Sequence, residues 1–341
     1  MFQTAPMAST MSRFSLDYAT SGTSRSPNSV MVALDGAIAA ERALPFAQLV
    51  AQHWNAPLRL VHVRNPVEGA HGMDVRLIDN RNSLSLQSRS GAYLHDIAES
   101  LRGSNRLVVS CATAVGVSIA DTLRSMCESE ARALVIARTK RSLLSRFWRG
   151  SVTDSLIGRL TVPLLVIPEA ASRDSEAEIA SARRFDRVLV HVDGTDATDQ
   201  VVDSAITLSS ADTVCHLLRV LPLASLYATT RGGFRAASDL RYQAWRELFR
   251  ARGKLAKRGI AAKSRLIFDG QTAGPAIVDQ ARAMQAQLIV ISARQRLLPW
   301  WLREGVAEYV VRHANVPVLI VPAEGNPISQ PKADHVDFHS N

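Results

Sequence analysis

Cysteine is scarce in this chain. Three of 341 residues, Cys111, Cys127 and Cys215, are cysteines, with no CxxC pair and no spacing that would hold a metal ion. That excludes a disulfide framework and leaves the three thiols as small buried apolar groups. Long apolar runs are also missing; Val162–Ile167 and Leu288–Ile291 are typical, far short of the ~18 residues a membrane-spanning helix needs. The first 28 residues are rich in Ser, Thr and Met and hold no apolar signal stretch, so a cytoplasmic location is expected. Lysine is nearly absent: five of the 40 cationic residues, the other 35 being arginine.

The net charge of +9 admits acidic partners, but the arginines are spread over both halves. No RRM, KH, zinc-finger or basic-zipper pattern accompanies them, which argues against nucleic acid. Catalytic signatures are lacking too. There is no G-x-S-x-G elbow, no metal spacing around His53, His71 and Asp74, and no carboxylate pair placed after a strand. These absences point away from an enzyme and away from a bound metal.

What the chain does have is an internal duplication. Val162-Pro-Leu-Leu-Val-Ile-Pro168 returns 154 residues later as Val316-Pro-Val-Leu-Ile-Val-Pro322. Val32-Ala-Leu-Asp35-Gly36 likewise returns 158 residues later as Val190-His-Val-Asp193-Gly194. Two copies of one unit therefore cover residues 29–168 and 186–322. Residues 169–185 are polar, charged and rich in Ala and Ser, a linker composition. Residues 1–28 and 323–341 read as disordered tails.

In each unit short apolar runs alternate with helical patterns. The first predicts strands at 30–34, 58–63, 107–110, 134–137 and 164–167, and helices at 39–53, 92–102, 119–130 and 151–159. The second predicts strands at 188–192, 214–220, 264–268, 288–291 and 318–321, and helices at 198–209, 238–257, 276–284 and 306–313. Strands apolar along their whole length are covered on both faces, the property of parallel sheets flanked by helices. The fold class is therefore α/β: two tandem, doubly wound, Rossmann-like sheets of five parallel strands. In such sheets ligands bind beyond the carboxyl ends of the strands, where the strand order reverses. The residues after strands one and four of each unit are the ones to examine. His62 and His191, inside apolar strands, read as hydrogen-bonded core residues.

Asp35-Gly36 after strand one, the Leu60-Val-His62-Val63 strand, the Ser145–Val152 segment and the closing Val-Pro-hydrophobic strands resemble the universal stress protein family. The second unit is similar through Asp193-Gly194-Thr195 and Val316–Pro322. The resemblance implies a tandem protein with an adenine nucleotide hydrolase-like fold. In the family's ATP binders an Asp after strand one faces the adenosine, and a loop G-x2-G-x9-G-[ST] wraps the phosphates. Glycines there let backbone N–H groups approach phosphate oxygens, and the final pair opens a helix whose N-terminus favours an anion.

Laid on the first unit, the pattern gives Ala137-x2-Lys140-x9-Gly150-Ser151: two glycines are lost and the helix-opening pair is kept. Asp35, Val63, Ala137, Arg138, Lys140, Arg141, Gly150 and Ser151 form the candidate ATP pocket. Five cations among residues 138–150 could hold phosphate through side-chain charge where amide contacts are gone. The competing reading is a solvated basic loop over a vestigial pocket. On the second unit the same pattern gives Asp193, Ser292, Gln295, Gly305 and Val306. It has lost the hydroxyl and gained Pro299-Trp-Trp301 and Glu304, and reads as a site that binds no nucleotide. Asp35 and Asp193 also read simply as turn-forming carboxylates that cap the next helix.

The closing strands would lie at sheet edges, and an apolar edge seeks a partner. In the family that strand forms the dimer contact. Here Leu164–Ile167 and Val318–Val321 can pair within one chain as an internal pseudo-dimer, leaving another face for any homodimer. Three functions stay open. One is a non-enzymatic stress-response protein acting on protein partners, with no cofactor required. The second is a regulatory switch with ATP in the first unit. The third is an anion- or nucleic-acid-binding module using the Arg138–Arg149 loop.

Overall fold

The strands that open the two halves alternate sides residue by residue. Val30 and Val32 face one layer of helices while Met31 faces the other, and all three are fully buried. A strand apolar on both faces can only sit inside a sheet covered on both sides. The computed structural model describes residues 29–65, 80–104, 107–138, 152–169, 184–223, 234–269, 272–294 and 305–323. The two tails, nearly all of the linker, and residues 139–151 and 295–304 lie outside the described residues.

The first half runs β1 (Ser29–Ala33), α1 (Ile38–Glu41), α2 (Ala43–His53), β2 (Leu58–Arg64), α3 (Asn80–Ser104), β3 (Val109–Val115), α4 (Ile119–Glu130), β4 (Ala131–Ala137), α5 (Val152–Leu156) and β5 (Leu164–Ile167). The second runs β6 (Arg187–His191), α6 (Thr198–Thr207), β7 (Val214–Pro222), α7 (Phe234–Ala256), β8 (Ala261–Asp269), α8 (Ala273–Ala283), β9 (Leu288–Arg294), α9 (Val306–His313) and β10 (Val318–Ala323). The pseudo-dimer is literal. The strands form one ten-stranded sheet in the order β3-β2-β1-β4-β5-β10-β9-β6-β7-β8. Every pairing is parallel except β5 with β10, which run antiparallel with Val166 opposite Val318, Leu165 opposite Leu319 and Leu164 opposite Ile320. The carboxyl ends of β1 to β5 and of β6 to β10 therefore emerge on opposite edges of the sheet.

Two apolar layers hold the sheet. One packs α2, α3, α6 and α7 on one face through Phe46, Leu94, Val202 and Leu248. The other packs α4, α5, α8 and α9 through Leu123, Leu156, Ile277 and Val310. Both run without a break across the β5–β10 joint. Cys127 and Cys215 are buried and Cys111 is half-buried, all reduced, as expected of small core residues.

Four local differences from the sequence reading have physical causes. The helix expected over 39–53 divides at Arg42, because Pro45 has no N–H to bond the carbonyl one turn back and is tolerated only in the first turn of α2. The third strand lies at 109–115 rather than 107–110, and the eighth extends to 261–269. These are the two edge strands, where exposed polar residues such as Ser110, Lys263 and Arg265 interrupt any apolar run. Finally, α3 begins at Asn80, well ahead of residue 92, since its first turns carry almost no apolar periodicity.

Candidate ligand-binding site

The strand order reverses between β1 and β4 in the first half and between β6 and β9 in the second. In the first half β1 gives way to Leu34-Asp35-Gly36. Gly36 has φ +83°, a left-handed conformation that a β-carbon disfavours. Asp35 Oδ1 accepts the Ala37 N–H at 3.0 Å, closing a turn with its side chain exposed. His62 Nδ1 lies 2.9 Å from the Leu34 carbonyl oxygen and pins the strand end. Burial holds the His62 imidazole below its usual pKa, against the opposing pull of that backbone bond. Among the described residues, a β-carbon built on Gly36 would meet nothing within 4 Å.

The candidate residues gather here only in part. Ala137 ends β4, and the Arg138 N–H donates to the Ile167 carbonyl at 2.8 Å. Val63 is the last residue but one of β2, paired with Ala114 of β3 and with its side chain in the core. The Arg138 guanidinium reaches across the joint and donates to the Val311 carbonyl in α9. Carbonyls in the last turn of a helix have no intrahelical partner and sit at the negative end of its dipole, so a cation there is favourable. Arg138 thus binds the halves together, a role in competition with phosphate. Lys140, Arg141, Gly150 and Ser151 lie outside the described residues.

The second crevice is built differently. Asp193 Oδ1 accepts from the Thr195 N–H (3.0 Å), Thr195 Oγ1 (2.7 Å) and Thr198 Oγ1 (3.3 Å), and Oδ2 accepts from Ser292 Oγ (2.7 Å). Two of the candidate residues are therefore clasped across the switch point. Burial alone would raise the Asp193 pKa. The Ser292 and Thr195 bonds, helped by His191, outweigh it and hold the carboxyl below its ordinary value.

Above Gly194, at φ +74°, a β-carbon would stand 2.6 Å from both Arg219 Nη2 and Glu247 Oε2. These two side chains make an ion pair of 3.5 Å between Nε and Oε2. Neither of those atoms has a hydrogen-bond partner, so the contact is electrostatic rather than well aligned. Arg219 stands on the strand where His62 stands in the first half, and its Nη1 donates to the Val192 carbonyl at 3.3 Å. Gly305 precedes α9, and Glu308, 7 % exposed, folds its carboxylate back against it. An internal carboxylate thus sits at a helix N-terminus, the kind of place that draws an anion. Val306 is the first residue of that helix, and Gln295 lies outside the described residues.

Sequence reasoning missed Arg219, Glu247 and Glu308. Arg219 carried a signal, a charge inside the apolar run Leu217–Leu221. So did Glu308, an acid among the apolar residues of a short helix. Glu247 carried none, because only the packing of α7 on β7 brings it to the turn. Among the described residues no group of three or more His, Cys, Asp or Glu side chains could hold a metal ion, and no helix is long and apolar enough to cross a membrane.

A family model described as the universal stress protein family matches residues 27–168 and 184–322. Among solved structures, a universal stress protein from Archaeoglobus fulgidus DSM 4304 superposes with a TM-score of 0.63 at 16 % identity, covering 87 % of this chain and 97 % of its own. A functionally unknown protein from Pseudomonas aeruginosa PAO1 superposes with a TM-score of 0.54 at 18 % identity, covering 86 % and 92 %. At these identities the likeness is one of fold. Comparison with curated protein sequences returned no match.

Proposed function

The chain belongs to the universal stress protein family, twice over in tandem, and from that premise we propose a non-enzymatic stress-response protein that acts in the cytoplasm by binding partners, with nucleotide confined to its first half. The observation that carries this reading is the contrast between the two turns. Among the described residues nothing stands above Gly36, while Arg219 and Glu247 stand above Gly194.

In the family's ATP binders the carboxylate after strand one faces the adenosine and the loop after strand four the phosphates. In the second half both ends of that path are occupied by the protein's own side chains: the Arg219–Glu247 pair at the first and Glu308 at the second. A ligand there would have to displace an ion pair and then meet a carboxylate. Asp193, saturated by hydrogen bonds, is an acceptor and not a base poised near neutral pH.

The first half keeps Asp35 exposed, with Ala137 at the strand end across the switch point. Nucleotide held there is a regulatory ligand, gripped by the Gly150-Ser151 helix opening and by cations of the 138–149 loop. This basic loop is also where a free anion would compete.

Calorimetry of the intact chain with ATP tests the assignment. We expect no more than one equivalent, lost in Asp35→Ala and in Gly150→Trp and kept in Asp193→Asn. Two equivalents, or loss in Asp193→Asn, would overturn the one-sided reading. Steady release of phosphate from ATP, abolished by Asp35→Ala, would overturn the non-enzymatic one. No heat at millimolar ATP would leave a protein that works through partners alone.

A further inference from the structure

The chain's positive charge is not distributed as its surface is. Residues 238–269, which take in most of α7 and all of β8, hold nine lysines and arginines against three acids. That is a net +6 of the whole chain's +9. This stretch forms the outer edge of the second half, since β8 pairs only with β7. The inward stripe of α7 is Ala244, Leu248, Ala251 and Leu255, all buried.

On the flank of α7 beside that stripe, Arg241, Trp245, Phe249 and Arg252 share one row at helical spacing, with Tyr242 and Arg246 next to them. Tyr242 is 69 % exposed and Phe249 61 %. Trp245 and Phe249 lie 5.9 Å apart, ring centre to ring centre. Phe268 of β8 extends the aromatic surface, with the Arg241 guanidinium 5.9 Å above its ring. Neither Arg246 nor Arg252 forms an ion pair with any described residue. Of the helix's acids, Glu247 turns inward to Arg219, leaving Asp239 as the exposed one among the described residues.

The duplication supplies an internal control. On α3, the matching helix of the first half, the described side chains carry Arg89 and Arg102 against Asp96 and Glu99, and Arg102 pairs with Glu99 at 2.6 Å. Over its whole length α3 holds three arginines against two acids, while α7 holds six cations against two. The fold itself therefore does not require this surface.

We propose that the outer flank of α7, continued by Phe268 of β8, is a binding surface for single-stranded nucleic acid. Cations along a track with flat rings between them are what a single strand needs: phosphates meet the guanidinium groups and unpaired bases stack on the rings. Such contacts carry no base code, which agrees with the lack of any sequence-specific module. An anionic membrane fits less well, because the aliphatic side chains of α7 are turned inward and an interfacial helix must bury an apolar face among lipids.

The test is fluorescence anisotropy of the full chain with labelled oligouridine and oligodeoxythymidine of about 20 nucleotides, over a range of salt, which also separates RNA from DNA. Binding is expected to both or to one, and to weaken as salt rises. Replacing Arg241, Arg246 and Arg252 by serine should lower the slope of log K against log salt by about 2, at roughly 0.7 per phosphate contact. Tyr242→Ala with Phe249→Ala should weaken binding at least about fivefold while leaving that slope nearly unchanged. All five positions are exposed, so thermal melting should report intact folding. Serine at Arg141, Arg146 and Arg149 should leave affinity within about twofold. No binding at low salt, or loss on changing the 141–149 arginines instead, would overturn the proposal. So would equal affinity for duplex DNA, for anionic vesicles or for an acidic polypeptide.

Discussion

His191 shows how one buried group ties stability to pH. It lies within β6 with its Nε2 lacking any hydrogen-bond partner. Burial pushes its pKa down to about 4, with Asp193 pulling it up and Arg219 pushing it further down. The folded protein therefore keeps His191 neutral where the unfolded chain would already bind a proton. Stability is whole above about pH 6.5, the unfolded value, and falls with acidity until about pH 4, where the folded form is protonated as well. The loss across that window is of order 3 kcal/mol from this residue alone. His62 and His216 are shifted the same way by burial. Urea denaturation at a series of pH values should show the fall, and His191→Leu should flatten it while changing stability at pH 7.5 by no more than about 1 kcal/mol. An unchanged pH slope in the variant would assign the acid sensitivity to other groups. That His191 is a core residue was legible in its apolar neighbours. That it lacks a partner was not, because a strand residue's partners come from other elements.

Among the elements, α8 and α9 pack closely at Gly274. A β-carbon there would stand 2.6 Å from the Tyr309 ring, and that ring is itself stacked on His313 at 4.0 Å. Gly274→Ala would gain up to about 1 kcal/mol in helix propensity. Against this, forcing a methyl into a filled contact typically costs about 1–3 kcal/mol. The clash wins, so the variant should be less stable, read as a lower urea midpoint; a rise would mean that Tyr309 moves aside freely. The same scale accounts for what the sequence hid among the helices and strands. Buried parallel strands such as Val188–His191 announce themselves as unbroken apolar runs. Edge strands do not, and most of β3 and nearly half of β8 are illegible in the sequence for that reason.

For the molecule as a whole, the β5–β10 joint governs the behaviour. Both apolar layers cross it, and so do Trp54 Nε1 to Thr207 Oγ1 at 3.0 Å, Arg312 to Asp154 at 3.3 Å, and Arg138 to the Val311 carbonyl. Two repeats with separate cores would unfold in two steps. These share theirs, so denaturant should unfold the chain in one transition, with tryptophan fluorescence and circular dichroism coinciding. Separate transitions would show the joint to be weaker than its packing. Joining the halves through antiparallel strands also sends their carboxyl ends to opposite edges of the sheet. The two crevices are thereby kept apart.

The duplication, the α/β class, the pairing of the closing strands and the positions of both switch points were all readable along the chain. Each is written in local signals: an apolar run for a buried strand, Asp-Gly for a turn, a repeated Val-Pro closing strand. What stands over the second turn was decided by long-range packing instead. It depends on Glu247 from α7 meeting Arg219 from β7 over Gly194 and on Glu308 folding back on Gly305, contacts between residues far apart in the chain or set by side-chain direction. Packing also selected which arginines face outward, because a helix buries one stripe of a basic sequence and leaves the rest to solvent.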